Sequence, residues 1–214
     1  MRVRIDVLLF DGFDELDAIG PYEVLANARA GGAELEVALA GVRGTAAVTG
    51  SHGTVVTPHR ALGDDPHPDL VVVPGGGWND RAEQGAWEEA RRGDLPSALA
   101  DLHASGTTVA SVCTGGMLLA AAGLTTGRPA TTHHAAIEAL RESGAEVVDA
   151  RVVDDGDVIT AGGVTSGIDL ALWLVEREFG AALADAIARE MEHDRRGDVW
   201  RKSPPDVGAG AKDG

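Results

Sequence analysis

Residues 107 to 124 read T-T-V-A-S-V-C-T-G-G-M-L-L-A-A-A-G-L, and they decide the fold. T-T-V-A-S-V at 107–112 has the apolar, β-rich character of a buried strand, and the segment from Thr114 to Gly123 reads as a helix with a glycine stop. Strand and helix meet at Cys113. Ser111-Val112-Cys113-Thr114-Gly115 places small residues two before and two after that cysteine, as in the small-x-nucleophile-x-Gly elbow. Such a turn is sharp and strained, and it lifts the side chain above the sheet edge. Amides of the following helix favour thiolate, and their N–H groups can receive developing negative charge. A lone cysteine without context is a small buried hydrophobe. The strand before it, the glycines and the helix after it favour a reactive role.

Working outward, V-R-I-D-V-L-L-F at 3–10 is a strand, D-G-F-D-E-L-D a loop, and Gly20-Pro21 the start of a helix that stops at Gly31-Gly32. Extended alternation resumes from residue 34, completing a βαβ unit. Stretches near 45–49 and 53–57 suggest a hairpin-like excursion, and D-L-V-V-V-P-G-G-G at 69–77 is a buried strand ending in a glycine turn. A helix over 95–105 precedes the Cys113 strand. After it come a short extended segment at 128–132, a helix over 135–143, extended segments near 146–153 and 157–161, and helices from about 165 to 192. This alternation predicts a three-layer α/β/α sandwich with a mainly parallel, flavodoxin-like central sheet and active-site loops at its C-terminal edge. One domain is expected over residues 1–197, with S-P-P-D-V-G-A-G-A-K-D-G closing a disordered tail over 198–214.

The composition bounds the function. Eighteen basic against 34 acidic residues leave a formal charge of −16 in 214 residues, a field that repels nucleic-acid phosphates and anionic lipid heads. No apolar run reaches the length of a membrane helix and no signal peptide is visible, so a cytoplasmic address is expected. With one cysteine and no ligand-spaced Cys/His set, neither an internal disulfide nor a metal site is expected.

Three further pieces belong near the elbow. Pro74-Gly75-Gly76-Gly77 leaves a buried strand, where glycine amides can complete an oxyanion hole; an ordinary glycine turn is the plainer reading. Asp11, Asp14, Glu15 and Asp17 follow the first strand on the same sheet edge. Asp17 is favoured to face the thiol because Leu16 and Ala18-Ile19 draw its backbone inward, where desolvation raises a carboxyl pKa. Thr131-Thr132-His133-His134 offers an imidazole to the thiol, or simply caps a helix. His52, His59, His67, His103 and His193 have no comparable setting and read as surface histidines.

With those residues in view, the chain resembles the ThiJ/PfpI superfamily of class I glutamine-amidotransferase-like proteins, in its isocyanide-hydrating branch. The carriers are L-F-D-G-F-D-E-L-D-A-I-G-P-Y-E-V-L, V-V-P-G-G-G, V-C-T-G-G-M-L-L-A-A-A-G-L, R-P-A-T-T-H and G-G-V-T-S-G-I-D-L-A-L, spread over residues 3 to 195. The resemblance implies Cys113 as elbow nucleophile, Asp17 as the acid near it, and Thr114 as the residue that helps hold that acid. It also implies an oxyanion and substrate pocket at Gly76, Gly77 and the Thr114 amide, with His133 at the superfamily histidine position. His134 stands where relatives often carry tryptophan. The implied reaction is hydration of a small-molecule isocyanide to an N-substituted formamide with no cofactor, by a homodimer. Rival readings are a ligand- or thiol-redox-sensing domain akin to AraC-type regulators, for whose DNA-reading module residues 198–214 are too few, and a glyoxalase or deglycase-like enzyme.

Overall fold

A computed structural model describes residues 2–202. The first phrase of the chain is β1 (Val3–Leu9), α1 (Glu15–Ala30) and β2 (Leu35–Gly41). The hairpin β3 (Val48–Thr49) and β4 (Val55–Val56) is antiparallel, and β5 (Arg60–Ala61) follows it to the sheet edge. Then come β6 (Leu70–Val73), α2 (Ala86–Arg92), α3 (Asp94–Ala104), β7 (Thr108–Val112) and α4 (Gly115–Ala121). The last third holds β8 (Pro129–Ala130), a 3₁₀ turn at His134–Ala136, α5 (Ile137–Glu142), β9 (Glu146–Val147), β10 (Val152–Asp154) and β11 (Val158–Ala161). Helices α6 (Ser166–Phe179) and α7 (Ala181–Glu190) and strand β12 (Val199–Arg201) complete it.

Eight strands form the central sheet in the order β12-β10-β11-β7-β6-β1-β2-β5, all neighbours parallel except β10 with β11. The sandwich of helices about a mainly parallel sheet is therefore as the alternation of the sequence implies. β1, β6 and β7 lie side by side at its centre, and Val7, Val72 and Ala110 on them are wholly buried. Parallel neighbours end on one edge, so the loops after β1, β6, β7 and β11 converge there.

Three expectations are corrected. The first helix begins at Glu15, not Pro21: Asp14 caps it, accepting a hydrogen bond from the Leu16 amide at 3.2 Å, and Pro21 lies inside it. A proline there cannot donate to the Asp17 carbonyl one turn back, but its ring packs against Gly167, and Gly20 lets α1 approach Ile168 of α6. Tertiary contact thus outweighs the local rule. Helix α2 lies in a stretch where the pattern showed none. The strand β12 occupies residues expected to belong to the tail; it pairs with β10, and the rest of that expected tail, from residue 203, lies outside the described residues.

The edge strand is anchored by side chains too. Arg201 lies 5.3 Å from the centroid of the Trp173 ring, Trp173 donates to Asp154 at 2.8 Å, and Lys202 reaches the buried Asp155 at 3.1 Å. Ending the chain at Asp198 should therefore lower the melting temperature by on the order of 5 °C, since a domain of this size shifts about 2–4 °C per kcal/mol. Thermal melts of the truncated and full chains check it, and an unchanged midpoint would mean that β12 contributes nothing. No helix among the described residues is long and apolar enough to cross a membrane.

Candidate active site

Cys113 stands between β7 and α4 with φ 57°, in the left-handed region that costs a non-glycine residue about 1–3 kcal/mol. The fold holds it there with four hydrogen bonds, one of them from the Gly116 amide to its carbonyl at 3.2 Å. Its amide donates to the Ala161 and Gly162 carbonyls at 3.2 and 2.8 Å, and Thr132 Oγ1 donates to its carbonyl at 2.7 Å. The elbow also explains the glycine two residues on, because a Cβ at Gly115 would overlap the Val73 carbonyl oxygen. The sulfur is 6% exposed with its residue, at the foot of a cavity.

Asp17 reaches the thiol from the first turn of α1. It is wholly buried; Oδ2 accepts from the Gly75 amide at 3.0 Å, while among the described residues Oδ1 has no hydrogen-bond partner. Burial pushes the carboxyl up to about 8, with the Asp14 charge adding to the rise, and the Gly75 amide and the Cys113 thiol oppose it. At neutral pH it is chiefly a carboxylic acid. Burial, then the Asp17 charge, pushes the Cys113 thiol up to about 12 against hydrogen bonds from the Val164 and Thr114 amides. Of the following helix only the capping Thr114 amide reaches sulfur, Val164 coming from the loop before α6, and desolvation outweighs both. Repulsion from Asp17 exists only while that carboxyl is ionised, so the two groups titrate as a pair whose resting form is an acid beside a thiol.

The glycine turn is spent differently from the expectation. Gly76, at φ 121°, donates its amide to Thr114 Oγ1 at 3.0 Å, and the Thr114 amide is directed at Sγ. Both amides matched to an oxyanion site are thus engaged, and an anion takes the Gly76 amide only when the Thr114 hydroxyl turns away. Thr114 likewise supports Asp17 only through the Gly75–Gly76 backbone. Gly76 and Gly77 both line the cavity.

That cavity, about 220 Å³, is walled by Asp14, Gly77, Trp78, Asp80, His133 and Val164 around the thiol. His133 is half-buried, and its Nδ1 accepts from the Ala135 amide at 3.2 Å, which leaves the proton of the neutral ring on Nε2. Burial, then the neighbouring His134, lowers its pKa, so it is a neutral donor near pH 7 rather than a cation. His134 is exposed and stacks on it with ring centroids 4.2 Å apart, but lines a separate cavity of about 570 Å³.

The four acids that follow β1, Asp11 and Asp14 in the loop and Glu15 and Asp17 in the first turn of α1, divide by task. Asp11 accepts from the Thr49 amide at 2.9 Å, and Glu15 accepts from the His52 amide at 2.8 Å, so both tie down the β3–β4 hairpin. Burial raises the Glu15 carboxyl, yet hydrogen bonds from His52 and Thr54 outweigh it and hold the group at about 2. Asp14 caps α1 and faces the cavity; Asp17 alone is buried against the thiol. Trp78, Asp80 and Val164 are site residues the sequence reading did not single out. Their signal was adjacency: Trp78 and Asp80 directly follow the glycine turn, and Val164 sits in G-G-V-T-S-G.

Residues 3–177 match the DJ-1/PfpI family. An isonitrile hydratase from Pseudomonas putida is 37% identical over 194 residues, covering 90% of this chain and 79% of its own. A deglycase from Thermococcus kodakarensis is 33% identical over 180 residues, 83% of this chain and 97% of its own. A solved ThiJ/PfpI family protein from Pseudomonas syringae superposes with a TM-score of 0.77 at 27% identity, covering 99% of this chain and 80% of its own.

Proposed function

The chain belongs to the DJ-1/PfpI family, and from that premise we propose that it hydrates a small isocyanide to an N-substituted formamide through a Cys113 thioimidate. The observation that carries this reading is the buried acid, Asp17, held against a buried thiol with one carboxyl oxygen free of other donors. Similarity to the isonitrile hydratase supports the choice of substrate class.

The chemistry needs one proton carrier and a pocket that excludes bulk water. As sulfur bonds to the isocyanide carbon, Asp17 delivers its proton to that carbon and the thiol proton passes to Asp17, giving R–N=CH–S–Cys113. Water then adds to the C=N carbon and the nitrogen takes a proton. Collapse of the tetrahedral adduct forms the formamide carbonyl and breaks the C–S bond, returning the thiol. The Thr114 and Val164 amides stabilise negative charge on sulfur during both steps, and the His133 Nε2 proton serves the nitrogen side of the substrate. Isocyanide plus water equals formamide, so the cycle closes without an oxidant or reductant.

The test is to incubate the purified protein with a simple alkyl isocyanide, with methylglyoxal in parallel. Formamide should accumulate catalytically and methylglyoxal should persist. Methylglyoxal turnover without formamide would overturn the reading in favour of the glyoxalase or deglycase chemistry to which the Thermococcus similarity points.

A further inference from the structure

The lining of the thiol cavity carries two carboxylates, the half-buried Asp14 and the exposed Asp80, and among the described residues neither lysine nor arginine lines it. The nearby cations are turned elsewhere. Arg81 lies over the Trp87 ring at 5.0 Å, and Arg92 is paired with Glu88 at 3.2 Å. Asp14 is oriented by its capping bond from the Leu16 amide. Its charge is felt at Asp17 and Cys113, where it adds to the rise, and at His133, where it opposes the fall caused by burial and His134. Trp78 adds an aromatic surface to the same lining, which suits an apolar or cationic group. A carboxylate or phosphate brought to the sulfur would meet two like charges in a partly solvated cavity whose lining, among the described residues, holds no counter-ion.

We propose that Asp14 and Asp80 make the mouth of this cavity a charge filter, admitting uncharged or cationic electrophiles to Cys113 and turning away those that carry a carboxylate or phosphate. The filter rests on Cys113 being the nucleophile, and it narrows the substrate class to isocyanides whose R group bears no anion. Asp14 and Asp80 are specificity-determining residues here; neither takes part in bond making.

Alkylation of Cys113 tests the filter without any turnover. Iodoacetamide and iodoacetate react alike: sulfur bonds to the CH₂ carbon, the C–I bond breaks and iodide leaves, the thiol proton passing to buffer. The two reagents are close in size and differ in charge. Their rate ratio, followed by intact mass and divided by the ratio for a free small-molecule thiol, therefore reads the charge selectivity of the site. The anionic reagent should be disfavoured tenfold or more. Asp80→Asn and Asp14→Asn should each recover about three- to tenfold, the range for one charge at close approach in a partly solvated site. Raising the salt should narrow the ratio. Asparagine caps a helix as well as aspartate, and any change in thiolate fraction cancels in the ratio. Asp65→Asn removes one charge from a side chain that is 93% exposed, in the loop before β6 at the opposite sheet edge, and should leave the ratio unchanged.

A wild-type ratio equal to that of the free thiol would overturn the filter. So would equal recovery in all three variants, which would mean that the net charge of −16 acts as a whole. If no formamide forms yet the ratio behaves as described, the filter stands and only the isocyanide chemistry fails.

Discussion

Cys113→Ala abolishes formamide production in a protein that still folds. Removing a covalent nucleophile typically costs many powers of ten, so a loss of 10³-fold or more is expected. The fold should survive because alanine fills most of the space of the thiol, and the amide and carbonyl bonds that clamp position 113 are made by the backbone. Cys113→Ser is the sharper variant. A hydroxyl keeps the hydrogen-bonding contact with Asp17, but in this buried site it is a far poorer nucleophile than sulfur, so turnover should fall nearly as far. Product formation is read alongside a thermal melt for each variant. Full activity in folded Cys113→Ala would end the covalent mechanism and leave the cavity as a site of bulk hydration or binding alone.

The strand–cysteine–helix junction was the most legible part of the molecule because strand, elbow and helix impose residue types on one continuous stretch, overlapping at Ser111-Val112 and at Gly115. Gly115 must be small to pass the Val73 carbonyl, and Ser111 lies wholly buried. The central parallel strands were legible for a similar reason: β6 is a continuous apolar run, and β1 and β7 are largely apolar, as strands covered on both faces are. What escaped was set by contacts distant in sequence. Pro21 looks like a first-turn residue until Gly167 is placed against it, and α2, seven residues long, lacks the length that makes periodicity visible. β12 is three residues in a segment of polar and glycine-rich composition, and only the ladder with β10 and the Trp173 contact of Arg201 give it a place.

The site divides along the same line. Asp17 could be favoured over its neighbours from the apolar residues beside it, and the structure buries it completely. The loop setting expected for it was wrong, since one turn of helix carries it inward. That Thr114 would occupy the Gly76 amide was not legible at all, because a bond between a side chain and a backbone group 38 residues apart leaves no trace in the local pattern. Nor was the balance at sulfur: amide donors and desolvation pull the thiol in opposite directions, and only the burial of this particular sulfur decides which prevails.

Asp17→Asn should lower turnover by about 10²- to 10⁴-fold, the range for a lost general acid–base group, while Cys113 remains open to alkylation. The amide keeps the size of the side chain and an acceptor for the Gly75 amide, but carries no proton to transfer. Asp11→Asn and Glu15→Gln should be mild, since those carboxylates hold the hairpin and do not touch the thiol. The same substitution should change stability in the opposite sense. Asp17 has a folded pKa raised to about 8 from an ordinary 3.8, so between those values the folded protein binds the proton more tightly than the unfolded chain. Its contribution is fully present below pH 3.8 and is lost as pH rises toward 8, by up to ~1.4 kcal/mol per pH unit. An asparagine does not ionise. The stability of the wild type should therefore fall more steeply between pH 5 and pH 8 than that of Asp17→Asn, and the variant should gain on it at the alkaline end. Wild-type turnover should also decline above about pH 8 as the acid is lost, a limb absent from the residual rate of the variant. Parallel pH slopes in the two proteins would show that Asp17 is ionised throughout the range. Together with an undiminished rate in Asp17→Asn, that result would place the proton donor elsewhere in the cavity, at the His133 Nε2 proton.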